Sequence, residues 1–368
     1  MTSEIDIFLR NLLQYEHEPL NMAPACQRVA ADIAGHLAFG QSLKTQNETA
    51  NRTLINAMAS VNALINIWMS WPITSIIKPL LRRLNKKNNL GFRRVLENLT
   101  KYRKALPKDA QHDFYSIAAS DENADEDTLR QTELWSEASV FLPAGLSGIF
   151  FYLSRHPSAY AALAAEIRTT FTSGKLIKSG PQLSGCKYLR AVIDESLRLA
   201  PPFAGTLWRE PSPSFAKPIV VDGELIPPGT IIGVSPYCIM HNELYFTDPF
   251  EFQPERWLEP ERKVGEAQKS ITTRATARDA FAAFALGDTG CVGKAMAYQE
   301  MSLVVAKTMW YFDFQRAPGK LGELGGGEAG RKDGRHRVNE YQLDDNQTSD
   351  KDGPNLVFKA REEHRHEL

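Results

Sequence analysis

The run Phe284-Ala-Leu-Gly287-Asp-Thr-Gly290-Cys291-Val-Gly293 sets one cysteine in a glycine-lined loop. Gly287 and Gly290 suit a tight turn that needs positive φ, and Gly293 removes a side chain where a flat group must approach. After the loop, Ala297, Met301, Val304, Val305 and Met309 recur at helical spacing, so a helix is predicted from Lys294. Cys291 then lies at a helix N-terminus, where unpaired N–H groups and the helix dipole favour thiolate over thiol. The chemistry this offers is soft ligation of iron, as the proximal ligand of a haem.

A second constellation is Glu195-Ser-Leu-Arg198 with the later Pro254-Glu-Arg256-Trp257. Glu and Arg at i, i+3 share one helix face. Arg256 would supply a second guanidinium to the Glu195 carboxylate, which a buried charge requires. On its own, a Glu-x-x-Arg pair is an ordinary feature of solvated helix faces.

Taken in order, Glu-x-x-Arg, Pro-Glu-Arg and Phe-x-x-Gly-x-x-x-Cys-x-Gly resemble the cytochrome P450 family. Weaker segments follow the same order: Asp32 to Gly40, Ser136 to Gly145, Arg155-His156-Pro157, and Asp352 to Phe358. The resemblance is to fungal microsomal members. It implies a mainly α fold with a small β-sheet, in which Glu195, Arg198 and Arg256 form a structural ion triad. It also implies haem held through Cys291 (catalytic and metal-ligating at once), with Phe284, Gly287 and Gly293 shaping the loop and Arg209 meeting a propionate. Phe203 and Thr206, in Pro202-Phe-Ala-Gly-Thr206, resemble a substrate-contact segment. The implied activity is a haem-thiolate monooxygenase acting on a small apolar substrate in fungal secondary metabolism. Electrons would come from NADPH through NADPH-cytochrome P450 reductase. The implied location is the cytosolic face of the endoplasmic reticulum membrane.

Several departures bear on that chemistry. The chain starts inside the family's pattern, so an N-terminally truncated fold is expected. The front-section Trp-x-x-x-Arg, whose arginine meets a propionate, has no counterpart at any of the six tryptophans. Two residues before the cysteine, where the family places Arg or His, stands Thr289. After Ala144-Gly145 the family's acid and threonine are replaced by Leu146, Ser147 and Gly148. About seven residues are then skipped, which is about two turns and keeps helix phase. An alternative reading is therefore a truncated remnant that binds haem weakly and has little or no monooxygenase activity.

Composition agrees with a large core: 368 residues, 43% hydrophobic. A net charge of −1 gives no electrostatic footprint for nucleic acid. The four cysteines are far apart, which argues against zinc and against a disulfide framework. The chain opens Met-Thr-Ser-Glu-Ile-Asp, without the basic n-region of a signal peptide or an anchor, so a cytoplasmic or peripheral location is the second expectation.

The elements that must position these residues read as follows. Helices are predicted over 3–20, 24–43, 53–84 (broken at Pro72), 92–105, 124–155, 158–171 and 187–199. Residues 219–235 alternate as a hairpin with Asp222-Gly223 at its turn. One domain is expected: helices to a shortened central helix over 1–155, a helix and sheet haem core over 156–314, a flexible insert over 317–337, and a hairpin and tail over 338–368. Gly325-x-Gly327-x-x-Gly330 matches a dinucleotide fingerprint but lacks a preceding strand, so it belongs to the insert. The final His-Arg-His-Glu-Leu reads as a disordered charged tail. Residues 53–77 carry no charge and precede a basic cluster. They read as core helices lining a substrate pocket, or, extended to 87, as a peripheral membrane contact.

Overall fold

A computed structural model describes residues 1–71, 101–103, 105–106, 145–210, 219–258, 277–346 and 348–368. The predicted helix over 92–105 (apart from its last residues), the 72–87 end of the membrane-contact segment and the central helix before 145 lie outside the described residues.

The chain opens with α1 (Thr2–Gln14), which buries Ile5, Phe8, Leu9 and Leu12 at helical spacing. The prediction ran this helix to 20, but residues 15–18 turn and Pro19–Asn21 form strand β1. Proline fits there because it starts an edge strand, where it owes no ladder hydrogen bond. Asn21 then caps α2 (Met22–Phe39), its side chain accepting from the Ala23 N–H at 3.1 Å, and Gly40 ends it in the left-handed region at φ 67°. Helix α3 (Thr53–Ser70) follows a short 3-10 turn.

Residues 145–153 form α4, the described end of the central helix. Every residue from 145 to 153 is buried, so the rod has no solvent face here. His156 and Pro157 start α5 (Pro157–Thr170), with proline at the first helical position, where its missing N–H costs nothing. Helix α6 (Lys187–Leu199) stops where Pro201 and Pro202 forbid its continuation. Helix α7 (Lys294–Tyr311) buries every residue from Leu303 to Tyr311.

Strands β2 (Leu207–Arg209) and β5 (Ile232–Val234) pair antiparallel. Between them β3 (Ile219–Val221) and β4 (Glu224–Ile226) make the predicted hairpin. Asp222 and Gly223 both have positive φ, 51° and 83°, the backbone that matches a two-residue turn to strand twist. Strands β6 (Phe312–Arg316) and β1 flank β9 (Asn355–Ala360) in a three-stranded sheet, and β7 (Asp344–Asn346) pairs with β8 (Thr348–Asp350). One hydrophobic cluster runs from Ile5 through α4, α6 and α7 to Ala360.

The C-terminal residues were read as a disordered tail, yet Glu362–Glu367 coil into a 3-10 turn. Glu367 accepts from Ser173 Oγ at 2.9 Å, the Gly174 N–H at 3.1 Å and Tyr311 OH at 3.1 Å, contacts no local pattern could announce. The 317–337 segment carries its own backbone bonds, Gly327 N–H to Arg337 O at 3.1 Å and Glu328 N–H to Arg335 O at 2.9 Å. The 3-10 turn Gly319–Glu323, not a strand, leads into Gly325, and no helix directly follows its glycines.

Candidate haem-thiolate site

Residues 287–289 coil into a short turn, and the Cys291 N–H donates to Phe284 O at 2.8 Å, closing the loop beneath the cysteine. Phe284 is buried and packs its ring on Tyr298 of α7 at 5.1 Å, so the loop is anchored to the helix it introduces. Gly293 is the residue before α7, and Ala297 N–H donates to its carbonyl at 2.9 Å. Cys291 is half-buried.

The glycines act differently from one another. Gly287 takes the expected positive φ, 66°. Gly290 does not: its φ is −59° with extended ψ, and it is Ala285 that turns left-handed, at φ 55°. What requires glycine at 290 is space, since a Cβ would press the Gly287 carbonyl at 3.1 Å. A Cβ on Gly293 would lie 3.7 Å from the Cys291 sulfur, on the flank that glycine keeps open.

Strand β2 brings Arg209 to this loop, where a guanidinium N–H donates to Thr289 Oγ1 at 2.9 Å. The residue expected at a propionate and the position where the family places Arg or His are thus neighbours, one cationic and one neutral. Trp208 and Val234 on the paired strands and Leu286 and Val292 on the loop are large apolar side chains left exposed. A sulfur donor, apolar surface and a cation with a hydroxyl form a donor set that fits a thiolate-ligated haem.

Behind the loop the structure assembles the ionic cluster. Glu195 and Arg198 are both fully buried and meet in a two-bonded fork, at 2.9 and 3.0 Å. Arg256, from the 3-10 turn Pro254–Trp257, donates to the same carboxylate at 3.0 Å. The other N–H groups of Arg198 go to the carbonyls of Met240, Pro249 and Glu251, at 2.7, 2.6 and 3.2 Å, so all five donors are used. Two members were not foreseen: the Gln253 N–H, at 3.0 Å, and the indole N–H of Trp257, at 2.8 Å, also donate to Glu195. Burial pushes the Glu195 carboxyl up, but Arg198, Arg256 and these donors together hold it below the usual carboxylate range. A tryptophan beside Pro-Glu-Arg carries one N–H that must be satisfied when buried, the only hint the sequence held. His241, 8% exposed, stacks on Tyr237 and is pushed down to about 3 by burial and then by Arg198, so it stays neutral.

Phe203 and Thr206 lie half-buried between α6 and β2. Ser349 of β8 ties this stretch down, its N–H donating to Pro202 O at 2.7 Å and its hydroxyl to Pro201 O at 2.8 Å. Asn62 and Asn66 of α3 reach the same hairpin, at Thr348 Oγ1 and Asp345 O. Helix α3 and the 201–202 prolines thus meet the same hairpin from different elements, while Trp71 at the end of α3 is 68% exposed. On α4, Ser147 is buried and takes a 3.3 Å hydrogen bond from Tyr341 OH, and Gly148 packs near Ala200 and Tyr341.

An α-rich fold that presents one cysteine on a glycine turn before an enclosed helix suits a haem protein. The model of the family described as Cytochrome P450 matches residues 1–323, and the chain belongs to that family. Cytochrome P450 monooxygenase apf7 of Gibberella fujikuroi is 34% identical over 98% of this chain and 69% of its own length. A cytochrome P450 monooxygenase of Gibberella zeae is 32% identical over 94% of this chain and 79% of its own. Cytochrome P450 monooxygenase AKT7 of Alternaria alternata is 31% identical over 92% and 66%. The family implies a haem cofactor, a redox partner and a bound substrate, and the enzyme class is P450 monooxygenase. Among the described residues no helix is long and apolar enough to cross a membrane.

Proposed function

We propose that this chain is a haem-thiolate monooxygenase in which Cys291 is the proximal ligand and the substrate is a small apolar molecule of fungal secondary metabolism. The observation that carries it is the loop closed by the Cys291 N–H to Phe284 O bond, which presents the sulfur directly before α7. Haem bound there supplies dioxygen activation, which thiolate donation favours. Phe284 fixes the loop to α7, Gly287 allows its turn and Gly293 keeps the sulfur's flank open. Arg209 offers its charge to a propionate, with the Thr289 hydroxyl beside it. Phe203 and Thr206, both half-buried, contact the substrate. The ion triad of Glu195, Arg198 and Arg256 has a structural role, holding the 240–257 stretch to α6. Electrons come from NADPH through NADPH-cytochrome P450 reductase. The protein works at the cytosolic face of the endoplasmic reticulum, with 53–87 as peripheral contact.

The test is spectroscopic. Reduced protein exposed to carbon monoxide gives the red-shifted Soret band of thiolate ligation, and Cys291→Ser abolishes it. A normal thiolate band that survives in Cys291→Ser would remove the assignment.

A second reading, a remnant with weak haem binding and little turnover, is favoured by two observations. Thr289 brings a hydroxyl and no charge, and Ser147 is engaged by Tyr341 with no acid beside it in α4. Haem per chain after purification, together with product formed per NADPH consumed, decides between the two. Full occupancy and tight coupling exclude the remnant.

A further inference from the structure

Tyr298 of α7 is buried and touches the cysteine loop through Phe284, ring against ring at 5.1 Å. Its other end is held from a different helix. The phenol donates to Asp194 Oδ1 of α6 at 2.6 Å, and the guanidinium carbon of Arg190, also on α6, lies 3.5 Å from the centre of the tyrosine ring. Arg190 and Asp194 share one helix face at i, i+4 and bind each other, Nε donating to the two carboxylate oxygens at 3.1 and 3.0 Å. One ion pair therefore grips both the hydroxyl and the ring of one tyrosine. The phenol-to-carboxylate bond is charge-assisted, the stronger kind, and the Asp194 side chain is only 14% exposed, so little water competes for it.

These contacts lead to the cysteine's own backbone. Phe284 carries both the ring that Tyr298 holds and the carbonyl that accepts the Cys291 N–H at 2.8 Å. A Phe284 that shifts takes with it the acceptor of the bond that closes the loop. Helix α6 is a fixed base for this arm. Glu195, next to Asp194, is anchored by Arg198, Arg256 and Trp257 through bonds in which Asp194 has no part. Loss of the Asp194 carboxylate thus leaves α6 in place and releases Tyr298.

We propose that Tyr298, held by Asp194 and Arg190, is the positioning residue of the cysteine loop: its hydroxyl bond to Asp194 fixes the Phe284 ring and so keeps the Cys291 sulfur in one place before α7. This deepens the haem-thiolate assignment and rests on it for what the sulfur ligates. If Tyr298 served only to fill space, its ring alone would suffice, and the hydroxyl would be dispensable.

The test labels the full-length protein as purified, at equal haem content, with iodoacetamide and reads each cysteine by peptide mass. Cys238 is exposed and sets the reference rate, while Cys26 and Cys186 are buried and report general opening. Tyr298→Phe keeps the ring and deletes the hydroxyl. It speeds labelling of Cys291 by about tenfold relative to Cys238, the effect of one lost charge-assisted hydrogen bond on a local opening, with Cys26 and Cys186 still protected. Asp194→Ala does the same. Asp194→Asn, whose amide oxygen still accepts from the phenol, restores most of the protection. In reduced protein exposed to carbon monoxide, Tyr298→Phe shifts intensity from the red-shifted Soret band to the unshifted band of lost thiolate ligation, and Asp194→Asn keeps the red-shifted band. The proposal is overturned by Cys291 labelling in Tyr298→Phe and Asp194→Ala that matches the parent, by an unchanged band ratio in Tyr298→Phe, or by Cys26 and Cys186 labelling that rises in step with Cys291. Each of those results leaves the haem-thiolate assignment standing, because that assignment falls only on the Cys291→Ser spectrum.

Discussion

Glu300 sits on α7 nine residues after the cysteine and is 1% exposed, and neither carboxylate oxygen has a hydrogen-bond partner among the described residues. Burial pushes its pKa up to about 8. A raised carboxyl is neutral in the fold but ionised in the unfolded chain above its ordinary value. Its contribution is therefore whole below pH 4.5 and drains away as pH climbs towards about 8. Glu300→Gln is expected to stabilise the protein by about 2–4 kcal/mol at pH 8 and to change little at pH 4.5. Urea titrations at the two pH values check this, and equal effects at both would show that Glu300 does not titrate in the fold. Thr289 is the second telling residue. An arginine there would set a second cation beside Arg209, worth about 1.5–3 kcal/mol as a charge-assisted bond to a propionate. Thr289→Arg is expected to tighten haem binding by about tenfold or more. A haem titration that gives the same Kd for both proteins would separate Thr289 from the propionates.

Helix α6 shows how one element organises its surroundings. Its Glu195 and Arg198 stand one turn apart, and the chain from Met240 to Trp257 is drawn round them by carbonyls, an amide, an indole and Arg256. Removing one partner leaves a buried charge uncompensated. Arg198→Ala is expected to cost about 3–5 kcal/mol, with melting temperature and soluble yield both falling. Trp257→Phe keeps the ring and deletes one N–H, so it should cost about 1–3 kcal/mol by urea titration. If Arg198→Ala melts like the parent, the cluster is not the clamp its geometry describes. The Glu195 carboxyl lies below its ordinary range, so its stabilisation is present above pH 4.5 and fades only on acidification.

Across the whole molecule the first and last strands meet. Strand β9 lies between β1 and β6, so residues near both ends of the chain close one sheet over α1 and α7. The tail continues this closure, with Glu367 gathering donors from Ser173, Gly174 and Tyr311, and Arg365 pairing with Glu16 at 2.9 Å. Glu367→Ala is expected to lower stability by about 1–2 kcal/mol in a thermal melt while leaving the carbon monoxide spectrum unchanged. A spectral change would mean that the sheet end communicates with the cysteine loop.

Residue order alone carried the α-rich class, the glycine-lined cysteine loop before α7, the span of α6 and the Asp222-Gly223 hairpin, because each depends on local spacing or backbone preference. Helical period placed Glu195 and Arg198 on one face before any contact was known. Folding decided what depends on distant partners. Trp257 joins Glu195 across 62 positions, Thr289 takes a hydrogen bond from Arg209 across 80, and Tyr341 engages Ser147 across 194. The same holds where expectation failed. Residues 19–21 leave the helix because β9 offers a ladder, Gly290 is needed for space instead of positive φ, and the charged tail is ordered by acceptors and donors elsewhere in the chain. Spacing along a chain reports neighbours on one element, whereas a hydrogen-bond partner from another element is chosen only when packing brings the two surfaces together.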